Sequence, residues 1–299
     1  MTLNGSNTGV LILIVHVTVK REAKGTDSEL KAESRTYDVP VFTADLLKRR
    51  AALVTGGGTG ICRGIALAFA RHGCDVAITS RKIVHLEPTA DEIRACGVRA
   101  VAKAADVRDP AAVHDAIAAA VGELGRLDIL VNGAAGNFIC LAENLSPNGF
   151  GTVVDIDLKG TFNVSRAALP HLKARGGSVI NISATLPYLG TMGQSHAAAA
   201  KAGIDSLTRV LACEWGPYGI RVNGIAPGPI EGTEGVRRLV NDASREAALR
   251  QCPLGRLGTI DDVASAALFL CSDGASFING VTLVVDGGLW LRSARILGD

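Results

Sequence analysis

Leu53-Val54-Thr55-Gly56-Gly57-Gly58-Thr59-Gly60-Ile61-Cys62 is the stretch on which the reading of the chain turns. Residues 51–54 are a short apolar run of the kind that forms a buried parallel strand. Beyond the glycines, Ile61, Ile65 and Phe69 recur at helical spacing. Strand, glycine-rich turn and helix together predict a phosphate cradle. Glycines let the backbone approach an anion, and a helix N-terminus presents unpaired N–H groups and the positive end of its dipole. A glycine turn after a strand also serves as a plain tight connection. The stretch therefore indicates a class of ligand and no reaction.

Composition sets the frame around it. With 299 residues, 47% hydrophobic and 20% charged, the chain has enough apolar material for one large core, or at most two domains. Its 35 glycines and 4% aromatic content suit an α/β fold rich in tight turns. A net charge of +2 gives no reason to expect nucleic acid or a membrane surface as partner, and Lys48-Arg49-Arg50 is too short a basic run to change that. Cysteines at 62, 74, 96, 140, 213, 252 and 271 are odd in number and lack metal-ligand or redox-motif spacing, which points to reduced thiols and no metal site.

Residues 1–45 read as a variable extension without a catalytic role, or as an extra edge strand. Within it, residues 10–19 are apolar but carry His16 and are too short to span a bilayer, and they lack the flanks of a signal peptide. Residues 20–35 have the mixed charge of a linker.

Further along, strands are expected at residues 76–79, 100–104, 128–132, 220–225 and 281–285, with helices of 10 to 15 residues between several of them. That alternation predicts a single doubly wound parallel sheet of Rossmann type over residues 46–299. After the second strand stands Ser80-Arg81-Lys82, where an NAD enzyme usually carries an acidic residue for the ribose 2′-hydroxyl. An Asp would repel a 2′-phosphate, whereas Arg81 offers it a charged fork, so NADP(H) is favoured over NAD(H). A solvated strand-end arginine is the alternative. Asp106 can accept from the adenine amino group or cap the helix that begins near Pro110.

Thr55 to Gly60, Asp106-Val107, the segment 132–136 and Pro227-Gly228 stand in the order of the short-chain dehydrogenase/reductases, which the chain resembles over roughly residues 47–292. The resemblance implies a nicotinamide cofactor along the C-terminal ends of the strands. Its contacts would fall at Gly56, Thr59, Gly60, Ile61, Arg81, Asp106, Val107, Asn132, Lys201, Pro227, Gly228, Ile230 and Thr233. Most of that family uses a Tyr-x-x-x-Lys pair with a Ser and an Asn. Here Lys201 is present, but the Tyr position is Ala197, the Ser position Ala184 and the Asn position Asp157.

With those changes the chain is similar to the 2,4-dienoyl-CoA reductases, the peroxisomal branch in particular, as are the segments 134–138, 155–157, 160–164, 226–230 and 285–291. The resemblance implies NADPH-dependent reduction of a 2,4-dienoyl-CoA to a 3-enoyl-CoA, with hydride to the δ-carbon and a proton to the α-carbon. A carboxyl group acting directly or through a water would deliver that proton, Asp157 being the first candidate and Asp286 the second. Lys201 would hold the nicotinamide ribose. Asn137, Phe138, Ile139, Cys140 and Tyr188 would line the acyl pocket, Tyr188 as rim or as a donor to the thioester. Arg81, Arg108 and Arg238 would grip phosphates of the cofactor or the CoA ester, or else serve as surface charges.

Residues from about 231 to 252 are the expected lid, and a homodimer or homotetramer is implied. The resemblance also implies a peroxisome, although Leu297-Gly298-Asp299 is not a Ser-Lys-Leu-like address; cytoplasm is the alternative. A 3-oxoacyl thioester reductase and a non-catalytic NADP(H)-binding protein are the competing functions. Cys62, standing where the family has its third glycine, is expected to cost about 1–3 kcal/mol of overpacking and to weaken cofactor affinity without abolishing binding.

Overall fold

A computed structural model describes residues 41–239 and 242–291, with the side chains of 238, 239 and 242 outside the description. The apolar run and linker expected within residues 1–40, and residues 292–299, lie outside the described residues. From Phe42 onward the chain forms one unit. Its centre is a seven-stranded sheet ordered β3-β2-β1-β4-β5-β6-β7, parallel throughout. The strands are β1 (Ala51–Thr55), β2 (Asp75–Ser80), β3 (Ala100–Ala104), β4 (Ile129–Asn132), β5 (Gly177–Ile182), β6 (Ile220–Pro227) and β7 (Thr282–Val285). The order reverses between β1 and β4, and the crevice above that switch is where such sheets bind ligands.

Helices fill both faces, as parallel crossovers require. One face carries α1 (Gly60–Arg71), α2 (Glu87–Ala95) and α9 (Ile260–Cys271), packed through Ile65, Phe69, Ile93 and Leu268 against Val54, Val76 and Ile225. On the other, α3 (Pro110–Leu124), α5 (Gly160–Lys173) and α6 (Ser195–Trp215) bury Ile117, Val164, Leu172 and Trp215 against Leu53, Leu130 and Val179. Residues of β1 alternate between these two clusters, because successive side chains in a strand point to opposite faces. The strand β5 is the seventh, beyond the six expected from the sequence; Asn181 interrupts its apolar run, Val179-Ile180-Asn181-Ile182.

Between α4 (Pro147–Val154) and α5 the chain makes a π turn, Asp155–Lys159, so that α4, the turn and α5 run on as one helix. A π turn inserts one residue into the helical repeat and rotates what it carries. Here it turns Asp157 inward, where it is 1% exposed. Gly203 of α6 allows the close approach on the other side, since a Cβ there would stand 2.6 Å from Leu158 Cδ2. Over the expected lid the chain is helical, with α7 (Glu234–Leu239) and α8 (Asp242–Gln251).

Candidate active site

The glycine turn is built as a cradle. Thr59, extended and without a side-chain cap, precedes α1, whose first turn contains no acidic residue. Gly60 takes φ +55°, a left-handed conformation that favours glycine, and a Cβ there would meet nothing within 4 Å. The space above the helix N-terminus is therefore open, and its N–H groups suit a pyrophosphate. Gly56 has φ +71° and lies against Gly133, with its N–H donating to Thr79 O at 2.7 Å. Thr55 Oγ1 accepts from the N–H groups of Gly133 (2.9 Å) and Ala134 (3.2 Å), which ties the cradle to the end of β4. Ile61 is half-buried beside the turn.

Cys62 behaves differently from the expectation of overpacking. A Cβ on Gly133 would fall 2.0 Å from Cys62 Sγ, so the sulfur fills the space that Gly133 leaves empty. The missing glycine in α1 is matched by a glycine across from it. Burial pushes the Cys62 thiol up to about 12, with Lys201 pulling the other way, which leaves it an unreactive packing group.

At the ends of β2 and β3 stand the charges. Arg81 is exposed and forms no hydrogen bond or ion pair with any described residue, so its guanidinium is available to a 2′-phosphate. Asp106 is taken up by Arg108, whose Nη2 lies 2.6 Å from Oδ2 and Nε 3.0 Å from Oδ1. The Arg108 hydrogen bond, with Arg81 nearby, holds the Asp106 carboxyl below the usual range. As a phosphate grip Arg108 would first have to leave this partner. Val107 is pinned over Gly160, and its carbonyl accepts from Asn163 Nδ2 at 3.0 Å. Arg238 falls among the undescribed side chains.

Asn132 is placed away from the crevice. It is 2% exposed, and its Nδ2 donates to Ser165 Oγ and Asn181 Oδ1, both at 2.9 Å, while Asn181 Nδ2 passes the chain of bonds on to Thr208 Oγ1 at 2.9 Å. Its side chain fastens β4 to α5, β5 and α6, and the end of β4 is left to face the ligand with backbone.

The two central candidates come together. Lys201 Nζ lies 3.2 Å from Asp157 Oδ2 and donates to Ile182 O at 2.9 Å. Asp157 Oδ1 accepts the Gly136 N–H at 2.8 Å. Both side chains are buried, Lys201 at 8% exposure. One turn before Lys201, Ala197 is 2% exposed, so no hydroxyl stands where the family Tyr would be.

Asp286 arrives from the end of β7 and touches the Pro227-Gly228 turn: a Cβ on Gly228 would lie 2.6 Å from Asp286 Cβ. Its carboxylate accepts from the N–H groups of Gly288 (2.9 Å) and Trp290 (2.8 Å), so it does shape its own turn while remaining half-buried at the rim. Ile230 is buried and pairs with Gly258, and Thr233 Oγ1 donates to Ile230 O at 2.7 Å, which anchors the start of the segment expected to be a lid.

Apolar loops complete the mouth. Phe138, Ile139, Tyr188 and Trp290 are exposed large side chains on the segments after β4, β5 and β7. Cys140, half-buried, is held by its N–H to Gly193 O at 3.0 Å, and Asn137 Oδ1 accepts the Phe138 N–H at 2.8 Å. Tyr188 is not free to donate to a ligand, because its hydroxyl gives its proton to Asp205 Oδ2 at 2.7 Å. Burial and the Asp205 carboxylate push the phenol up to about 12. Its ring packs 5.5 Å from that of Trp290, which makes it a wall.

Asp205 and Trp290 were not foreseen as site residues. Trp290 carried a signal, an apolar triplet after Gly287-Gly288, whereas Asp205 has none short of the fold. His196 is wholly buried, both ring nitrogens without a hydrogen-bond partner among the described residues, and its ring lies 4.3 Å from that of Phe138.

Comparison with known proteins agrees with this architecture. A family model described as Enoyl-(Acyl carrier protein) reductase matches residues 56–290. The peroxisomal 2,4-dienoyl-CoA reductase of Arabidopsis thaliana is 46% identical over 266 residues, covering 86% of this chain and 89% of that protein. The enzyme of the same name from Rattus norvegicus is 48% identical over 261 residues, with coverage of 86% and 89%. Among solved structures, a short chain dehydrogenase from Bacillus anthracis superposes with a TM-score of 0.76 at 41% identity, covering 83% of this chain and 99% of that one. The glycine cradle, the Lys201–Asp157 pair and the parallel sheet thus sit in a chain that belongs to the short-chain dehydrogenase/reductase family and is an oxidoreductase.

Proposed function

We propose that the protein reduces 2,4-dienoyl-CoA thioesters to 3-enoyl-CoA with NADPH. The observation that carries this is the buried Lys201–Asp157 pair beside Ala197: the site keeps the family lysine yet offers no phenol to protonate a carbonyl oxygen. The names of its relatives point to the same substrate class. When bound, NADPH supplies the hydride. Gly60, the α1 N-terminus and Arg81 hold its phosphates, and Lys201, oriented by Asp157 and Ile182 O, holds the nicotinamide ribose and adds positive potential where negative charge develops on the thioester.

We reverse the order of the two candidate acids, and two contacts of Asp157 support this. Both oxygens of Asp157 are committed to Lys201 and to Gly136, so its part is to position the lysine. Asp286, half-buried against Gly228 and aligned by backbone N–H groups, is the carboxyl proposed to deliver the α-proton, directly or through a water. Phe138, Ile139, Tyr188 and Trp290 receive the acyl chain.

The test is loss of NADPH absorbance with 2,4-hexadienoyl-CoA and 2,4-decadienoyl-CoA, with acetoacetyl-CoA as control. Turnover of the dienoyl esters alone is expected. Reduction of acetoacetyl-CoA instead would replace the proposal with 3-oxoacyl chemistry, and tight NADPH binding without turnover of any ester would mean a non-catalytic binder. Arg81→Ala is expected to raise the KM for NADPH at least tenfold while leaving that for NADH within about twofold, since one charge-assisted fork is lost; an unchanged NADPH:NADH ratio would remove Arg81 from cofactor selection.

A homo-oligomer is part of the proposal. Phe150, Phe162 and Val210, exposed on α4, α5 and α6, support those helices as the contact surface. The peroxisome is proposed on the names of the relatives alone. No helix among the described residues is long and apolar enough to cross a membrane.

A further inference from the structure

The edge of the sheet opposite the nucleotide crevice carries a second concentration of positive charge. In a parallel sheet all strands begin on the same edge, so residues just before neighbouring strands converge there. Arg50 precedes β1, Arg126 lies three residues before β4, Arg175 two before β5, and Arg221 is the second residue of β6. These four arginines line one cleft of about 550 Å³.

Two carboxylates answer them. Asp128 takes Arg126 at 2.6 Å and also accepts the Ala51 N–H at 2.8 Å, and Asp273 takes Arg50 at 2.6 Å. The other two guanidinium groups have no hydrogen-bonded acidic partner among the described residues. Arg221 donates only to neutral oxygens, Ser178 Oγ at 2.7 Å and Leu270 O at 2.8 Å, with longer bonds to Ser272 O at 3.4 Å and Ile278 O at 3.5 Å. The guanidinium of Arg175, exposed on the rim, makes no hydrogen bond or ion pair with any described residue. The floor between them is bare backbone: Gly176 and Gly219 both take positive φ, and a Cβ on Gly176 would lie 2.8 Å from Gly219 O.

We propose that this cleft binds a phosphate dianion or phosphomonoester, at a site separate from those of the nucleotide and the CoA ester. Two unmatched guanidinium groups in one recess set the charge of the ligand, and their fork geometry suits phosphate oxygens. Burial holds Arg221 below the usual arginine range and the charge of Arg50 adds to it, while Cys271 and the Asp273 carboxylate pull the other way; a bound dianion acts in the same sense as Asp273. From Arg221 to Pro227 the strand rises about 20 Å at ~3.3 Å per residue, so an anion here cannot reach Arg81.

The experiment is isothermal titration of the full chain with sodium phosphate, against sodium chloride at equal ionic strength, with the nucleotide site either saturated with NADPH or deprived of its arginine by Arg81→Ala. Saturable phosphate binding is expected in both preparations, weakened at least about tenfold by Arg175→Glu. The Arg81→Ala arm keeps the result independent of whether NADPH is the cofactor. Ribose 5-phosphate separates the sources: tighter binding than phosphate identifies an ester site, equal or weaker binding a free-anion site. Equal heats with chloride, or binding abolished by Arg81→Ala yet retained in Arg175→Glu, would overturn the assignment. Arg175 is exposed, so its variant is expected to fold. Should Arg175→Glu melt early, Arg175→Gln carries the same comparison.

Discussion

Cys62 and Gly133 have exchanged volume: a sulfur in the helix occupies the room a side chain would take on the strand end. The variant Cys62→Gly is therefore expected to leave NADPH affinity within about twofold and to lower stability by about 1–2 kcal/mol, through an unfilled space and a helical glycine. Urea denaturation beside fluorescence titration of NADPH decides between this and overpacking, which would show as higher stability and tighter binding. At Asp157 the effect runs through charge. Asp157→Ala strands the Lys201 ammonium among buried groups, with an expected loss of about 3–5 kcal/mol and of at least tenfold in NADPH affinity. Asp157→Asn, which keeps an acceptor for Gly136, is expected to recover part of the stability. Equal loss in both variants would mean that the charge pair itself is what matters. Both residues were readable as candidates from their family positions. That they form one ion pair was not, because they lie 44 residues apart on separate helices.

The elements carry their own instructions to different degrees. Helix α9 announces its start in the sequence: Thr259 caps the Asp262 N–H at 3.2 Å, and Asp262 returns a bond to the Thr259 N–H at 2.7 Å. Hydrogen bonding from Arg256 is the main cause that lowers the Asp262 pKa from 3.8 to about 2. The folded form thus holds its proton less readily than the unfolded chain, so this stabilisation is complete above about pH 4 and is lost as pH falls toward 2. Asp262→Asn is expected to melt below the parent at pH 7, with the gap closing between pH 4 and pH 2, as circular dichroism melts would record. A constant gap would assign the effect to the neutral hydrogen bonds. The π turn Asp155–Lys159 is the opposite case. No residue type marks it, and it exists because α6, thinned at Gly203, packs on Leu158 and draws Asp157 under Gly136.

For the molecule as a whole, the helices that support the site also present apolar surface outward. Phe162 is 46% exposed on α5, and Phe162→Glu is expected to reduce the mass measured by light scattering to that of one chain, while the wild type gives a multiple of it. An unchanged multiple would move the interface to another face. Sequence alone was enough for the doubly wound sheet, the glycine cradle, the arginine after β2 and the absent tyrosine. Each of these is a local matter of period, turn chemistry or one side chain at one position. It could not say that Asn132 turns its amide into a bonded chain through Ser165 and Asn181, that Arg108 is spent on Asp106, that Tyr188 is tied to Asp205, or that Gly133 makes room for Cys62. Those outcomes depend on which groups meet across the sheet, and only the packing of β4, β5, β6 and α6 against one another, with every buried polar atom seeking a partner, decided them.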